Sequence, residues 1–241
     1  MGSAKASANH ILITTLILCT VGLLLVYSST GVIAEQKYHD SFLFLKKQFL
    51  GLNLGLIAIG IIQILPFKWI GRSTLPLFII GIALLSLTLI PGIQQKVNGA
   101  SRWLSILGLR FQPIELAKFA LICFLAKNLA RTSCHLDELK SVVINFIPFS
   151  IIATITMFQP DFGSVFLLFT ITFLMLIAAN LHCRYLIVIG LSAILSSTVA
   201  ILLAPYRVAR ILSFLDPIKE AQRGGFQIIQ SYMGFKNGGL F

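Results

Sequence analysis

The chain has 241 residues, of which 57% are hydrophobic and 11% charged, with a net charge of +11 and a mean hydropathy of +0.92. A soluble domain carries about 25% charged residues, so this composition excludes a soluble globular enzyme, a disordered chain, a fibrous repeat and a disulfide scaffold, and leaves a polytopic membrane protein. The basic residues stand singly between apolar runs and form no patch interleaved with aromatics, so the positive charge does not point to nucleic acid.

A spanning helix needs about 20 apolar residues. The pattern predicts seven such helices, near residues 11–30, 47–65, 74–91, 114–130, 142–158, 162–180 and 185–204. The expected fold is therefore an all-α membrane bundle over residues 1–204, followed by a polar stretch, 205–241, too polar to span. The first run ends in Tyr27-Ser28-Ser29-Thr30 and has no small-residue cleavage site after it, so it reads as a span and not as a signal peptide. Gly51 and Gly55 give the second run a GxxxG spacing, expected to mark close helix packing. Pro66, Pro76, Pro91, Pro113, Pro160 and Pro205 fall at or near run ends, where a missing N–H is tolerated, whereas Pro148 falls inside the fifth run and should kink it.

Between the third and fourth runs lies Asn98-Gly99-Ala100-Ser101-Arg102-Trp103-Leu104, and then Phe111-Gln112-Pro113-Ile114-Glu115-Leu116-Ala117-Lys118. Arg102 and Trp103 set a phosphate-binding fork beside an interfacial ring. Glu115 and Lys118 are three apart, so they share a helix face. A charge at the bilayer centre costs about 2.5–3.5 kcal/mol on insertion scales, so the two are expected to point at each other or into a wet cavity. The working expectation is that they face the bundle interior near Asp161, and the alternative is a self-neutralising pair at the helix end.

Gln159-Pro160-Asp161-Phe162-Gly163 leaves room only for a tight turn between the fifth and sixth runs. Asp161 either N-caps the sixth helix or serves a site, and the residues alone weigh these evenly. After Pro205 come Arg207 and Arg210, three apart, able to present two cations to a pyrophosphate or simply to snorkel at the interface. Beyond them lie Asp216-Pro217, read as a turn, then Gln227, Gln230 and Ser231, and a closing Gly238-Gly239-Leu240-Phe241. Cys19, Cys123, Cys134 and Cys183 form no CxxC pair, and His10, His39, His135 and His182 are scattered, so no metal site is predicted.

With the N-terminus inside, the inner loops would hold seven Lys and Arg residues and the outer loops eleven, against the positive-inside rule. Either the N-terminus lies outside, or the outer face carries extra positive charge for a reason, such as an anionic ligand handled there.

Together these motifs resemble the FtsW/RodA/SpoVE family, the SEDS proteins, whose pattern runs roughly NGAxRWL, FQPSExAK, QPDxG, RxxxFLxPxxDxxGxxxQxxQS and GGLFG. The resemblance covers essentially all 241 residues in order, with Ile114 where the family prefers Ser. Residues 225–231 and the closing Gly-Gly-Leu-Phe look like the FtsW/SpoVE branch, which implies a role in division. The resemblance implies ten spans, of which seven would lie here, a cytoplasmic N-terminus, and a large outer loop beginning at 205. It further implies a peptidoglycan glycosyltransferase of the bacterial inner membrane, at the division septum, that polymerises lipid II, an undecaprenyl-pyrophosphate disaccharide-pentapeptide. The implied partners are a class B penicillin-binding protein transpeptidase and other divisome proteins. Arg102, Trp103, Gln112, Glu115, Lys118, Gln159, Asp161, Arg207, Arg210, Gln227, Gln230 and Ser231 match its motifs as substrate-binding candidates. The family's catalytic aspartate sits in a segment resembling PExxTDFIF, and no residue here occupies it, so the chain is expected to be a fragment or a shortened, inactive product.

The chemistry itself requires a base for an acceptor hydroxyl and cations for a leaving diphosphate. Arg102, Lys118, Arg207 and Arg210 can supply the cations, and a divalent ion, Mg or Mn, is the candidate helper. A lipid II flippase, or a scaffold that recruits the transpeptidase, are the competing readings of the same charges.

Overall fold

The computed structural model describes residues 2–97, 100–106, 109–132, 138–219 and 225–238. In chain order it forms α1 (Gly2–Tyr38), α2 (Leu43–Ile64), α3 (Phe67–Leu87), β1 (Gln94–Val97), β2 (Ala100–Ile106), β3 (Leu109–Phe111), α4 (Pro113–Thr132), α5 (Leu139–Phe158), α6 (Phe162–Ala178), α7 (Cys183–Leu202), α8 (Pro205–Leu215) and α9 (Phe226–Gly238). The architecture is that of an all-α polytopic membrane protein. Among the described residues five helices, α1, α2, α3, α5 and α7, are long and apolar enough to cross a bilayer. The first seven helices overlap the seven apolar runs. Asn98, Gly99, Cys134, His135 and residues 239–241, which carry parts of the sequence argument, lie outside the described residues.

The chain divides into two compact units, Met1–Arg72 and Ser73–Phe241. In the first, α1 and α2 form a hairpin closed by a short turn. Asp40 organises that turn: its Oδ1 accepts from Phe42 N at 3.0 Å, and Lys46 Nζ lies 2.8 Å from its Oδ2. The Lys46 hydrogen bond, then the Phe42 N–H, hold the Asp40 carboxyl below the usual carboxylate range. The Tyr27 and Phe42 rings stack at 5.0 Å across the hairpin. Helix α2 buries no residue, as expected of a helix whose apolar surface is solvated by lipid. The GxxxG expectation is corrected here. A Cβ added at Gly51 or Gly55 would meet nothing within 4 Å among the described residues, so this spacing packs against no helix there.

The second unit has the core, and α4 is its centre. Ile114, Ala117, Leu121 and Leu125 recur at helical spacing and are all at most 1% exposed. Glu115 and Arg131 fall off that stripe and are exposed, which is how a helix carrying four charged residues can still line the core. Its apolar face packs on Phe78 and Leu85 of α3, Phe149 and Ile152 of α5, and Leu168 and Leu176 of α6. Helix α5 continues through the buried Pro148 without a break.

Close packing through glycine occurs at Gly81 of α3, where an added Cβ would lie 3.2 Å from Ala117 Cα. Gly81→Leu should therefore destabilise the bundle by about 1–3 kcal/mol through overpacking. Thermal unfolding of the detergent-solubilised protein measures this. A transition shifted no further than that of Gly51→Leu, made at the open position, would count against the crossing.

Two features bound α6. Asp161 caps its start, and Asn180 ends it in the left-handed region, at φ 59. Asn180 N donates to Ile177 O and Leu181 N to Leu176 O, the paired bonds of a Schellman stop. The helix is thus held to 17 residues, about 25 Å.

Residues 92–112, between the third and fourth apolar runs, contain a three-stranded antiparallel sheet in the order β1-β2-β3, where the all-α expectation had no strand. Val97 faces Ala100 and Gln95 faces Trp103 in the first pairing, and Leu104 faces Phe111 in the second. Buried Leu104 anchors the sheet, and β2 packs on α4.

Candidate functional site

The α3 C-terminus, the sheet, the start of α4, the α5–α6 turn and the α7–α8 junction meet at one end of the second unit. The turn Gln159-Pro160-Asp161 is the hub. Gln159 is 1% exposed, and its Nε2 donates to Thr88 Oγ1 at 2.6 Å and to Leu85 O at 3.2 Å. Thr88 Oγ1 in turn donates to Leu85 O at 2.7 Å. A primary amide buried with both bonds directed at the frayed end of α3 is a strut between helices. Its chemistry here is mechanical.

Asp161 both caps α6 and binds Arg102, so the two readings of this residue coexist. Its Oδ1 accepts from Ser164 N at 3.3 Å and its Oδ2 from Ser164 Oγ at 2.7 Å. Arg102 Nη1 approaches Oδ1 at 3.5 Å, and Arg102 Nη2 donates to Pro160 O at 2.6 Å. The Asp161 side chain is 7% exposed and that of Arg102 26%. Arg102 Nε is buried without a partner. A strand of the sheet is thereby latched by an ion pair to the turn that starts α6. Trp103, next on β2, is half-buried.

Glu115 and Lys118 sit in the first turns of α4. Pro113 occupies N1, where its missing N–H costs nothing, and Glu115 N donates to Gln112 O. Gln112 is half-buried. A carboxylate in the first turn is favoured by the helix dipole. Lys118 Nζ reaches both Glu115 oxygens, at 2.9 and 2.8 Å. The Glu115 side chain is 59% exposed and that of Lys118 20%. The expectation that both face the interior near Asp161 is corrected. The pair neutralises itself on the helix surface, and Asp161 is engaged by Arg102 and Ser164 instead.

Arg207 is turned back on the bundle. Its Nη1 donates to Ala200 O at 2.6 Å and its Nε to Tyr206 Oη at 2.9 Å. The guanidinium lies 5.2 Å from the Phe162 ring centroid and 5.3 Å from that of Tyr206. Phe162 adjoins Asp161, so Arg207 stands beside the hub. Arg210 is exposed on α8 and is not drawn into that cluster. Gln227, Gln230 and Ser231 lie exposed on α9, and no contact given above brings them to the hub.

Asp216 ends α8, accepting Lys219 N at Oδ1 and holding Lys219 Nζ 2.8 Å from Oδ2. The Lys219 side-chain hydrogen bond, then the Lys219 N–H, keep its carboxyl below the usual range and raise the Lys219 ammonium. Such a carboxylate is a turn element, a poor proton acceptor at neutral pH. Glu220 lies outside the described residues.

Among the described residues, no three His, Cys, Asp or Glu side chains come together as metal ligands. Asp161 is satisfied by Ser164 and Arg102.

Ser164, Thr88, Tyr206 and Phe162 are the parts of this end that sequence reading passed over. Ser164 had a signal, since a polar residue three after an N-cap is the reciprocal capping position. The other three had none, because their partners are distant in the chain.

A model of the FtsW/RodA/SpoVE family, described as cell cycle protein, matches residues 9–241. A protein of Geobacter sp. (strain M18) named "Probable peptidoglycan glycosyltransferase FtsW" is 35% identical over 235 residues, covering 96% of this chain and 63% of the relative. Stage V sporulation protein E of Bacillus subtilis (strain 168) is 37% identical over 248 residues, covering 100% of this chain and 66% of the relative. The chain thus spans slightly under two-thirds of the relatives it matches. Among solved structures, one reported as the structural coordination of polymerization and crosslinking by a peptidoglycan synthase complex aligns with TM-score 0.66 at 28% identity, covering 88% of this chain and 62% of that one. The rod shape determining protein RodA of Thermus thermophilus aligns with TM-score 0.55 at 26% identity, covering 72% and 56%.

Proposed function

The chain belongs to the FtsW/RodA/SpoVE family, and on that footing we propose that the whole protein is a membrane peptidoglycan glycosyltransferase that polymerises lipid II during bacterial cell division. In this reading the acceptor hydroxyl attacks the anomeric carbon, its proton passes to a base, and the bond from that carbon to the polyprenyl pyrophosphate breaks. The observation that carries the reading, beside the family, is the pair of guanidiniums at the α5–α6 turn, Arg102 on Asp161 and Arg207 over the neighbouring Phe162, where a departing diphosphate would need cations. Arg102 acts through its latch on Asp161, which sets the sheet over the turn. Lys118, Arg207 and Arg210 are the cations that this reading sets against the phosphates. The base is not assigned to any residue of this chain, and no step is routed through a metal. The protein would work with a class B penicillin-binding protein in the inner membrane at the septum.

Purified whole protein given fluorescent lipid II should yield a ladder of glycan polymers on a gel. Movement of lipid II across proteoliposome bilayers with no polymer formed would replace this reading by transport.

Orientation follows from the same proposal, with the N-terminus cytoplasmic and the sheet and α8 on the outer face. In a variant whose own cysteines are removed, Cys introduced at Ser105 or Ala209, both exposed, should label with a membrane-impermeant thiol reagent in intact spheroplasts. Ser213, at 3% exposure, would be a blind position. Labelling only after lysis would invert the topology.

Replacing Arg207 and Arg210 together by Lys should weaken lipid II use at least tenfold, the equivalent of about 1.4 kcal/mol. A lysine keeps the charge but has neither the planar fork nor the ring stacking that Arg207 shows. Insertion into membranes should be unchanged. Near-normal polymerisation by the double variant would remove both residues from the site.

A further inference from the structure

The second unit has a large apolar groove that the proposed function leaves unused. It has a volume of about 520 Å³ and runs between α5, α6 and α7. One wall is aromatic, with Phe162, Phe166, Phe169 and Phe173 set along α6 and Phe146 and Phe149 behind them. From Phe162 to Phe173 the wall rises about 16 Å at 1.5 Å per residue.

The α7 wall carries four hydroxyl residues, three of which are tied back to their own helix. Ser192 Oγ donates to Ile189 O at 2.9 Å, Ser196 Oγ to Ala193 O at 3.1 Å, and Thr198 Oγ1 to Ile194 O at 2.9 Å. Hydroxyls satisfied by their own helix leave methylene and methyl surface facing the groove. Gly190 keeps the far end open, since a Cβ there would already stand 3.9 Å from Phe173 Cζ.

A cation stands over the Phe162 end of the groove. Phe162, its first ring, lies under the Arg207 guanidinium, and Arg207 is pinned there by Ala200 O and Tyr206 Oη. A cation fixed above one end of a long apolar trough complements an amphiphile with an anionic head and a long hydrocarbon tail.

We propose that this groove holds the polyprenyl tail of the pyrophosphate lipid, with the pyrophosphate at the Arg207 mouth and the tail running toward Gly190. This rests on the polyprenyl-pyrophosphate substrate proposed above. The tail then contributes to affinity through α6 and α7, away from the sugar chemistry.

The test uses the whole protein in phosphatidylcholine nanodiscs and two probes that share a head, undecaprenyl pyrophosphate and geranyl pyrophosphate, with binding read by native mass spectrometry. The native protein should bind the long-chain probe at least tenfold more tightly. Gly190→Leu and, independently, Ala193→Phe fill the groove beyond the reach of the short tail. Each should cut undecaprenyl pyrophosphate binding at least tenfold and leave geranyl pyrophosphate binding as it was. The unchanged short-chain binding also reports that the variants are folded. A tail-length preference that survives in both variants overturns the groove assignment while the parent reading stands. So does equal binding of the two probes by the native protein, which would mean that the groove holds ordinary phospholipid. Failure of the native protein to bind either probe overturns the parent reading, and this inference with it.

Discussion

Asp161→Ala should destabilise the protein by about 3 kcal/mol, because it leaves the Arg102 guanidinium beneath the sheet without its countercharge. Removing one member of a buried ion pair costs about 3–5 kcal/mol. Arg102 keeps 26% of its side chain exposed, against 7% for Asp161, which places the loss at the lower end. The helix cap is lost in the same step, and a missing N-cap costs about 1 kcal/mol. The two contributions separate cleanly. Asp161→Asn retains an oxygen for Ser164 N and caps well, so it should lose the ion pair and keep the cap. Arg102→Ala should remove the ion pair and the bond to Pro160 O while Ser164 still serves Asp161. A double-mutant cycle on Arg102 and Asp161, read by thermal unfolding in detergent, should give a coupling of about 1–3 kcal/mol. A coupling below about 0.5 kcal/mol, the level of independent sites, would mean that the two side chains are neighbours without being a latch.

The helices were legible in the sequence because lipid imposes a simple requirement, about 20 apolar residues without interruption. That requirement also explains where boundaries differ. Helix α1 begins at Gly2 and α3 at Phe67, since polar residues extend a helix beyond its apolar run at no cost to hydropathy. The sheet was not legible as three strands. Its segments are three to seven residues long and carry charge at Lys96, Arg102 and Arg110. Yet Asn98-Gly99 stands between strands that pair Val97 with Ala100, and Asn-Gly between short runs is the strongest local sign of a hairpin. That signal was present and was outweighed by the all-α expectation. The Asp161 cap was legible, because capping is local. The Arg102–Asp161 pair and the Gln159–Thr88 strut were not, because a single sequence fixes residue types and not which distant ones meet. The same limit acts at Arg207. Spacing shows that it shares a helix with Arg210, but only the fold shows that Phe162 and Ala200 O wait beside it.

Lys118→Ala in the whole protein should reduce lipid II polymerisation by at least a hundredfold while changing stability by less than about 1 kcal/mol. The asymmetry is what makes the measurement decisive. Glu115 and Lys118 form an i,i+3 pair whose carboxylate side is 59% exposed, and such pairs contribute only about 0.2–0.5 kcal/mol to a helix. The core stripe of α4 runs through Ile114, Ala117, Leu121 and Leu125 and does not need the ammonium. A purely structural role therefore predicts near-normal polymerisation by Lys118→Ala. A role in holding the leaving diphosphate predicts loss of a charge-assisted contact in the transition state, where a hundredfold in rate corresponds to about 2.7 kcal/mol. Glu115→Gln adds direction to the test. It frees Lys118 from its countercharge and keeps the side-chain volume, so it should be far milder than Lys118→Ala if the ammonium is the working group. If Glu115→Gln is as damaging as Lys118→Ala, the carboxylate is the functional partner and the roles assigned here reverse. If both variants polymerise normally, the pair belongs to the helix end alone and the diphosphate is held elsewhere.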